Sequence, residues 1–458
     1  MAKLVRERVG GRMGAASEDR HQRGSSLAAL GKNFAWLLGG RGAAAIFSLV
    51  YLAILTRTLG KEDFGQFSLI IGTAQTVTVL VGFQTWQIVV RYGMDRLRAG
   101  RESALISLLK YCIGLDILGA ILGSGLAVGA VFLLAPVFGW TDELIRHALL
   151  FAAASLISVR STPTGILRLT DRFGLAANVE GALTLARLIF AVFVWQTAPT
   201  ITNFVIAWAV AEVTAAIAAW SFALYAAKGF DWRASTFAPR QTLADSKGLG
   251  RFTIITNLTQ TMGLAARRIP VLLTGVFVGP AAAGGFQIAL QLGHALTKVG
   301  ALAVQSLLPE MMRSRTYSAS EKAFGTLIRS SLRIGLVAGT VVLLTVVLFG
   351  EFALVGLAGP EFGAAYGLLV LVAMASAFNL AAVPLEPALF ASGGEMAALR
   401  VNIVVTVVAV AAMVGLGQMA GAMGIAGALV AAAIASSALY ALALRRHLKR
   451  DAAKGHVT

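Results

Sequence analysis

Charged residues are scarce in this sequence of 458 residues. Asp, Glu, Lys and Arg together make up 13% of the chain, whereas an ordinary soluble domain carries about 25%. Hydrophobic residues make up 57%, and the mean hydropathy is +0.77. This composition excludes a soluble globular protein.

Cysteine and histidine are also rare, which limits the chemistry available to the chain. Cys112 is the single cysteine, so neither an intrachain disulfide nor a cysteine metal cluster is available. The five histidines are scattered, and no H-E-x-x-H or comparable metal-ligand spacing occurs. A G-x-x-x-x-G-K-S/T phosphate loop is missing as well, which excludes nucleotide hydrolysis by that motif. We therefore expect no metal, no cofactor and no enzymatic activity.

Apolar runs of about 20 residues recur along the chain, and each is long enough to cross a hydrocarbon core as a helix. The predicted fold class is therefore an all-α polytopic membrane protein. The runs between charge clusters predict twelve spans, at residues 33–56, 66–90, 112–135, 144–167, 175–196, 201–226, 252–278, 282–308, 327–349, 364–391, 397–418 and 424–444.

The net charge of +17 indicates topology rather than a nucleic-acid partner. With the N-terminus placed inside, most of the 39 Lys and Arg residues fall in the two tails and in every second loop. Such a bias is typical of cytoplasmic segments. It predicts that both termini are cytoplasmic, and it gives no reason to expect nucleic acid as a partner.

The two halves of the chain resemble each other. The segment from Gly60 to Phe67 (GKEDFGQF) is echoed by the segment from Gly279 to Phe286 (GPAAAGGF), about half a chain later. This echo predicts two six-helix lobes that are related by an axis along the membrane normal. The alternative is chance similarity of two glycine turns. The predicted organisation is a basic cytoplasmic tail (1–32), a first lobe (33–227), a cytoplasmic linker (228–251), a second lobe (252–444) and a basic cytoplasmic tail (445–458).

Five cations fall inside predicted spans when those nearer the span ends are counted with the flanking loops. An isolated charge in a bilayer costs about 2.5–3.5 kcal/mol on insertion scales, so such residues usually face a bundle interior or a water-filled cavity. Arginine guanidinium groups match phosphate oxygens in bidentate geometry, so a diphosphate is the ligand we expect. The alternative is that Arg41 extends to the membrane surface and that Arg268 pairs with Glu180 or Glu212 as a structural ion pair. The five candidate ligand-binding residues are Arg41, Arg187, Arg267, Arg268 and Lys298.

Other polar residues within spans give weaker predictions. Intramembrane carboxylates can bind protons or sodium ions, but they can equally balance the arginine charges. Prolines in spans 4 and 10 predict broken helices, which serve either alternating access or simple kinked packing. The candidates for ion coupling are Asp116, Glu180, Glu212 and Glu386; the candidates for sugar contacts are Gln84, Gln87 and Asn257; and the prolines are Pro163, Pro384 and Pro387.

Several motifs in order along the chain resemble the O-antigen and polysaccharide flippases of the multidrug/oligosaccharidyl-lipid/polysaccharide (MOP) exporter superfamily. The first runs from Leu55 to Gly65, where Arg57 precedes Leu59-Gly60 and Phe64-Gly65. Others are Arg168-Leu-Thr-Asp-Arg-Phe173, Leu308-Pro-Glu310 and Gly359-Pro-Glu-Phe362. Arg41 looks like the cavity arginine that related flippases carry in the first helix, whereas Arg267-Arg268 stands where family members often show an acidic residue.

The resemblance implies a V-shaped pair of lobes around a cationic cavity. It implies movement of an undecaprenyl-diphosphate-linked oligosaccharide, the repeat unit of an O-antigen or exopolysaccharide, across the bacterial inner membrane by alternating access without a nucleotide. The implied partners are the lipid bilayer, the lipid-linked glycan, and glycan polymerase and chain-length proteins.

Three alternatives compete with a flippase. A multidrug or metabolite antiporter of the same superfamily would favour a carboxylate-lined cavity for cationic drugs. A membrane glycan polymerase or ligase usually needs a sizeable external loop, and the longest here, near residues 351–361, is short. A scaffold for glycan assembly would gain nothing from arginines buried in the membrane.

Overall fold

The computed structural model describes residues 22–305, 321–392 and 394–454. Within these ranges the chain is helical and contains no strand. The all-α class predicted from the apolar runs is therefore confirmed. The described helices are α1 (Gln22–Val81), α2 (Thr85–Arg98), α3 (Glu102–Phe138), α4 (Asp142–Ile157), α5 (Ser161–Leu169), α6 (Phe173–Thr197), α7 (Ile201–Ala226), α8 (Pro239–Ala244), α9 (Leu249–Arg267), α10 (Ile269–Phe277), α11 (Pro280–Gln305), α12 (Glu321–Ala358), a 3-10 turn (Pro360–Ala365), α13 (Tyr366–Ala382), α14 (Leu385–Ala391) and α15 (Glu395–Lys454).

Eight stretches of the described residues are long and apolar enough to cross a membrane, as expected of a multi-pass membrane protein. Two of them, Ile46–Arg98 and Met396–His447, contain 53 and 52 residues. As a straight helix each would be about 80 Å long, more than twice the thickness of a hydrocarbon core. Each contains a sharp bend, at Gly60 in α1 and at Gly421 in α15, and so has the length for two crossings. The total of twelve spans stays a prediction.

Prolines mark three of the helix breaks. Pro270 is the second residue of α10, Pro163 is the third residue of α5, and Pro384 caps α14. Proline lacks a backbone N–H, and so it fits the first turn of a helix, where that donor has no partner. A break beside Pro270 separates α9 from α10, and the breaks predicted in spans 4 and 10 are present. A further break between α1 and α2, at residues 82–84, has no proline and was not predicted.

The two glycine turns that echo each other in the sequence pack against each other in the structure. A Cβ on Gly284 would lie 3.1 Å from the Cα of Gly65. A Cβ on Gly65 would overlap the carbonyl group of Pro280, a backbone atom that cannot rotate away. The absence of side chains thus allows α1 and α11, one from each half of the chain, to touch at this end of the bundle. We call this the turn end.

Other contacts join the halves at the turn end. Arg57 donates hydrogen bonds to the carbonyl oxygens of Gly356 and Leu357. The backbone N–H of Lys61 donates to Glu361 Oε2 at 3.3 Å. The large buried core also includes residues from both halves, with Phe64 packing edge-on against Phe362 at 6.0 Å between ring centroids. These contacts close the turn end.

At the opposite end, which we call the linker end, the buried clusters are separate among the described residues. One belongs to the first half and includes Ile88 and Leu109, and the other belongs to the second half and includes Leu389 and Tyr440. The linker packs on the first half, because Lys110 Nζ donates to Ser235 O at 2.7 Å. The halves therefore share a core towards the turn end and have separate cores towards the linker end.

Candidate functional site

A buried carboxylate on α7 is the centre of the charged site. The side chain of Glu212 is 8% exposed. Arg160 Nη2 lies 2.7 Å from its Oε2 atom, and Arg187 Nη2 forms an ion pair with its Oε1 atom. Each carboxylate oxygen thus accepts one charge-assisted hydrogen bond, the arrangement that a buried charge requires.

Arg187 on α6 connects this ion pair to the second half of the chain. Its guanidinium carbon lies 5.2 Å from the ring centroid of Trp208, a cation–π distance. Its Nε atom is buried and has no hydrogen-bond partner. Arg187 also interacts electrostatically with Arg268, the residue at the break between α9 and α10. We call Arg160, Arg187, Arg268 and Glu212 the cationic cluster.

Arg268 forms no ion pair among the described side chains, which do not include that of Glu180. Glu212 takes part in both ion pairs found among the described side chains, and neither of them involves Arg268 or its exposed neighbour Arg267. Arg268 is partly buried, and its other electrostatic neighbours are Tyr51 and Arg267. Among the described side chains, the cluster therefore contains three guanidinium groups and one carboxylate, which is an excess of positive charge.

The structure adds one residue to the site that the sequence analysis did not single out, and it corrects one alternative. Arg160 lies in the α4–α5 break and forms an ion pair with Glu212. Its position inside the predicted span 144–167, three residues before Pro163, is the signal that could have identified it. The structural alternative paired Arg268 with Glu180 or Glu212. The pairing with Glu212 is wrong, because Glu212 binds Arg160 and Arg187 instead, and the pairing with Glu180 lies outside the described side chains.

Three predicted site side chains lie outside the described ones. Arg41, Glu180 and Lys298 are on helices α1, α6 and α11, whose backbone is described at these positions. Their roles as ligands or coupling groups stay predictions.

A second buried carboxylate, Asp116 on α3, is 5% exposed and lies where two broken helices begin. The hydroxyl of Thr85, the first residue of α2, donates to Oδ1 at 3.0 Å. The backbone N–H of Thr162, the second residue of α5, donates to Oδ2 at 3.2 Å. The N-terminal ends of two helices therefore face this carboxylate. Whether Asp116 couples transport to an ion stays a prediction.

Glu386 on α14 lies between two helices of the second half. Its Oε1 atom accepts hydrogen bonds from Asn402 Nδ2 at 3.2 Å and from the Tyr440 hydroxyl at 3.1 Å. These donors are neutral, so Glu386 is held without an ion pair among the described residues. Its proposed coupling role is likewise untested. No group of three or more His, Cys, Asp and Glu side chains within the described ranges is arranged to hold a metal ion.

The predicted sugar contacts lie in polar surroundings. Gln84 is in the α1–α2 break, where its Oε1 atom accepts from the Trp86 indole N–H at 3.0 Å. Gln87 follows in the first turn of α2 and is half-buried. Asn257 on α9 has a buried Oδ1 atom without a hydrogen-bond partner. An unsatisfied buried acceptor is costly, so Asn257 has capacity for a ligand hydroxyl or water.

Comparison with known proteins places this arrangement in a family. A family model described as polysaccharide biosynthesis protein matches residues 30–315, more than half of the chain. The chain belongs to this family. A curated relative, the inner membrane protein YghQ of Escherichia coli K12, is 28% identical over 345 residues, which cover 74% of this chain and 95% of that protein.

Solved structures show the fold of this polysaccharide biosynthesis family member. The lipid II flippase MurJ, in an inward closed conformation, has a TM-score of 0.72 at 12% identity and covers 89% of this chain and 86% of its own. An inward-facing multidrug resistance MATE transporter of the MOP superfamily has a TM-score of 0.68 at 15% identity, and the match covers 89% of this chain and 96% of that transporter. The MOP-type fold and the family resemblance predicted from the motifs are therefore confirmed.

Proposed function

We propose that the protein is a bacterial inner-membrane flippase that moves an undecaprenyl-diphosphate-linked oligosaccharide between leaflets by alternating access. The substrate in this proposal is the repeat unit of a lipopolysaccharide O-antigen or an exopolysaccharide. The excess positive charge of the cationic cluster is the observation that carries the proposal. Membership of a polysaccharide biosynthesis family and the fold shared with a flippase support it.

The cost of the cluster argues for an anionic ligand. A single arginine at the centre of a membrane helix costs about 2.5–3.5 kcal/mol on insertion scales. Glu212 neutralises one of the three guanidinium groups, so the remaining charge is stabilised by water or by a bound anion. Guanidinium groups bind phosphate oxygens bidentately and remain charged at any working pH. A diphosphate headgroup is the anion that such a cluster fits best.

The distribution of buried contacts supports loading from one side. The two halves share a core towards the turn end and have separate clusters at the linker end. In our proposal the linker end is cytoplasmic, together with both termini, because the positively charged segments lie on that side. The conformation described here then exposes the cluster to the leaflet in which lipid-linked glycans are assembled.

A drug antiporter of the same superfamily is the main competing function. Binding of a cationic drug needs uncompensated carboxylate, yet the carboxylate of Glu212 is already paired with two arginines. The arginine excess therefore favours an anionic substrate. In the proposal the protein transports and performs no covalent chemistry.

Leaflet exchange in proteoliposomes tests this proposal. The substrate is a fluorescent undecaprenyl-diphosphate oligosaccharide, and the variants are Arg268→Ala and Arg187→Ala. Loss of a hydrogen bond to a charged group costs about 1.5–3 kcal/mol, so we expect exchange at least tenfold slower in both. Folding should survive, because Arg268 forms no ion pair among the described side chains and Glu212 keeps Arg160 when Arg187 is removed.

The matched control is Arg172→Ala, an exposed arginine just before α6. It should exchange substrate at the wild-type rate. Wild-type exchange rates in folded Arg268→Ala and Arg187→Ala would contradict the proposal.

A further inference from the structure

An apolar groove on the outer surface of the molecule runs along α1 and ends at the turn end. Its volume is about 390 Å³, which lies within the range of about 300–1,000 Å³ that is usual for binding sites of small molecules. Its walls come from both halves of the chain, because α1 and α6 contribute on one side and the last turn of α12 on the other. The apolar walls include Ile46, Val50, Ala53, Ile54, Trp195 and Leu357.

The groove has the depth of one membrane leaflet. Ile46, Val50, Ile54 and Arg57 are spaced three or four residues apart, so they share one face of α1. Ile46 and Val50 are 61% and 43% exposed, and they lie in a stretch that is apolar enough to cross a membrane. From Ile46 to Arg57 this face is about 16 Å long at 1.5 Å per residue, and one leaflet of hydrocarbon is about 15 Å thick. The groove therefore faces lipid and accommodates a chain of leaflet length.

Arg57 lines the groove at the turn end, three residues before the bend at Gly60. Its Nε atom donates to the carbonyl oxygen of Leu357 at 3.2 Å, and its Nη2 atom donates to that of Gly356. Both carbonyl groups belong to the last turn of α12, where a helix leaves its acceptors without partners. The end of α12 thus holds the guanidinium group beside the groove. The Nη1 atom makes no hydrogen bond to a described residue, so its two N–H groups are available to a phosphate.

We infer that this groove binds a glycerophospholipid of the leaflet at the turn end, with one acyl chain along α1 and the phosphate on Arg57. Trp195, in the last turn of α6, is 53% exposed and provides the interfacial aromatic side chain that membrane proteins place at headgroup level. The groove suits an acyl chain because both have the length of one leaflet, whereas the chain of a long polyprenyl carrier exceeds it. The inference does not depend on the proposed function.

A lipid in this groove would contact both halves of the chain. Arg57 belongs to the first half, and the carbonyl groups that it binds belong to the second. Separation of the halves at the turn end breaks these hydrogen bonds and removes one wall of the groove. The bound phospholipid should therefore stabilise the conformation that is closed at the turn end.

Photolabelling of the full chain in nanodiscs tests the inference. The probe is a phosphatidylglycerol with a diazirine in the middle of one acyl chain, and labelled positions are located by mass spectrometry of peptides. Labelling of residues 46–54 is expressed relative to the lipid-facing Leu133 on α3, which is 73% exposed. Arg57→Gln removes the phosphate-binding charge, and Ala53→Phe fills the groove while Arg57 keeps its hydrogen bonds. We expect relative labelling to fall at least fivefold in each variant.

The matched control is Ile121→Phe, which adds the same side chain at another lipid-facing position, 65% exposed in wild type, and should label like wild type. A diazirine-bearing diacylglycerol, which lacks the phosphate, should label residues 46–54 at least fivefold less than the phospholipid. Farnesyl phosphate at a concentration equal to that of the probe should not displace the probe. Ala53→Phe keeps the inference testable even when Arg57→Gln does not fold.

Unchanged relative labelling in folded Arg57→Gln or in Ala53→Phe would overturn the inference, and so would equally strong labelling by the diacylglycerol. Displacement of the probe by farnesyl phosphate would also overturn it, because the groove would then belong to a polyprenyl carrier. None of these measurements uses a lipid-linked glycan. Failure of the proposed function would therefore leave their outcome unchanged.

Discussion

Replacing Gly65 by alanine should open the contact between the two halves at the turn end. A Cβ at this position would meet the carbonyl oxygen and carbon of Pro280 and would lie 3.1 Å from the backbone nitrogen of Ala281. All three atoms belong to the backbone of α11, so no side-chain rotation relieves the overlap. The helices themselves must move apart.

The size of the effect follows from the overlap. Contacts of a real Cβ essentially never fall below 3.0 Å, and restoring that distance requires α1 and α11 to separate by about 1 Å or more. Overpacking of a tight contact costs about 1–3 kcal/mol. A free energy of that size changes the ratio of two conformations by about 5- to 150-fold. We therefore expect the conformation closed at the turn end to lose at least fivefold in population relative to open ones.

Electron–electron double resonance between two spin labels measures that population. Suitable positions are Glu62 on α1 and Phe352 on α12, which are both exposed at the turn end and belong to different halves. The buried Cys112 is first replaced by alanine so that labelling is specific. Gly65→Ala should shift the distance distribution towards longer separations in nanodiscs.

The matched control is Gly129→Ala on α3, where an added Cβ meets nothing within 4 Å. This variant should give the wild-type distance distribution. If Gly65→Ala also gave that distribution, the turn end would not depend on close contact between the glycines, and the reasoning about their echo in the sequence would be refuted.

Two further predictions concern the stability of the first half. Asp116→Ala removes the acceptor for the Thr85 hydroxyl and for the Thr162 N–H. Each unsatisfied buried donor costs about 1–3 kcal/mol, so the midpoint of thermal unfolding in detergent should fall by several degrees. An unchanged midpoint would show that water replaces the carboxylate. Gly165→Val should also lower the midpoint, since a Cβ there would lie 2.8 Å from the Cβ of Val89 and force α2 and α5 apart, whereas Gly129→Val should not.

The sequence predicts the helical architecture well because membrane insertion imposes strong local rules. Long apolar runs become helices, and Pro270 and Pro384 mark breaks because proline cannot continue a backbone hydrogen-bond ladder. The echo between Gly65 and Gly284 was visible as a pattern, and the structure gives its reason, which is direct packing of the two turns. These features depend on residues close in the sequence or on a simple repeat.

The partners of charged side chains were harder to predict because they depend on contacts between distant helices. Arg160 was not among the predicted site residues, since an arginine near the end of an apolar run is equally consistent with a flank and with an interior break. Its ion pair with Glu212, 52 positions later, has no local signal. The same holds for Asp116, whose donors Thr85 and Thr162 lie on two other helices.

The most direct test of the account is leaflet exchange by wild-type protein given two substrates in parallel, a fluorescent undecaprenyl-diphosphate oligosaccharide and a cationic dye typical of drug exporters. A cluster with an excess of positive charge predicts exchange of the lipid-linked glycan and none of the dye. Transport of the dye without exchange of the glycan would contradict the central claim that the arginines serve an anionic lipid-linked substrate.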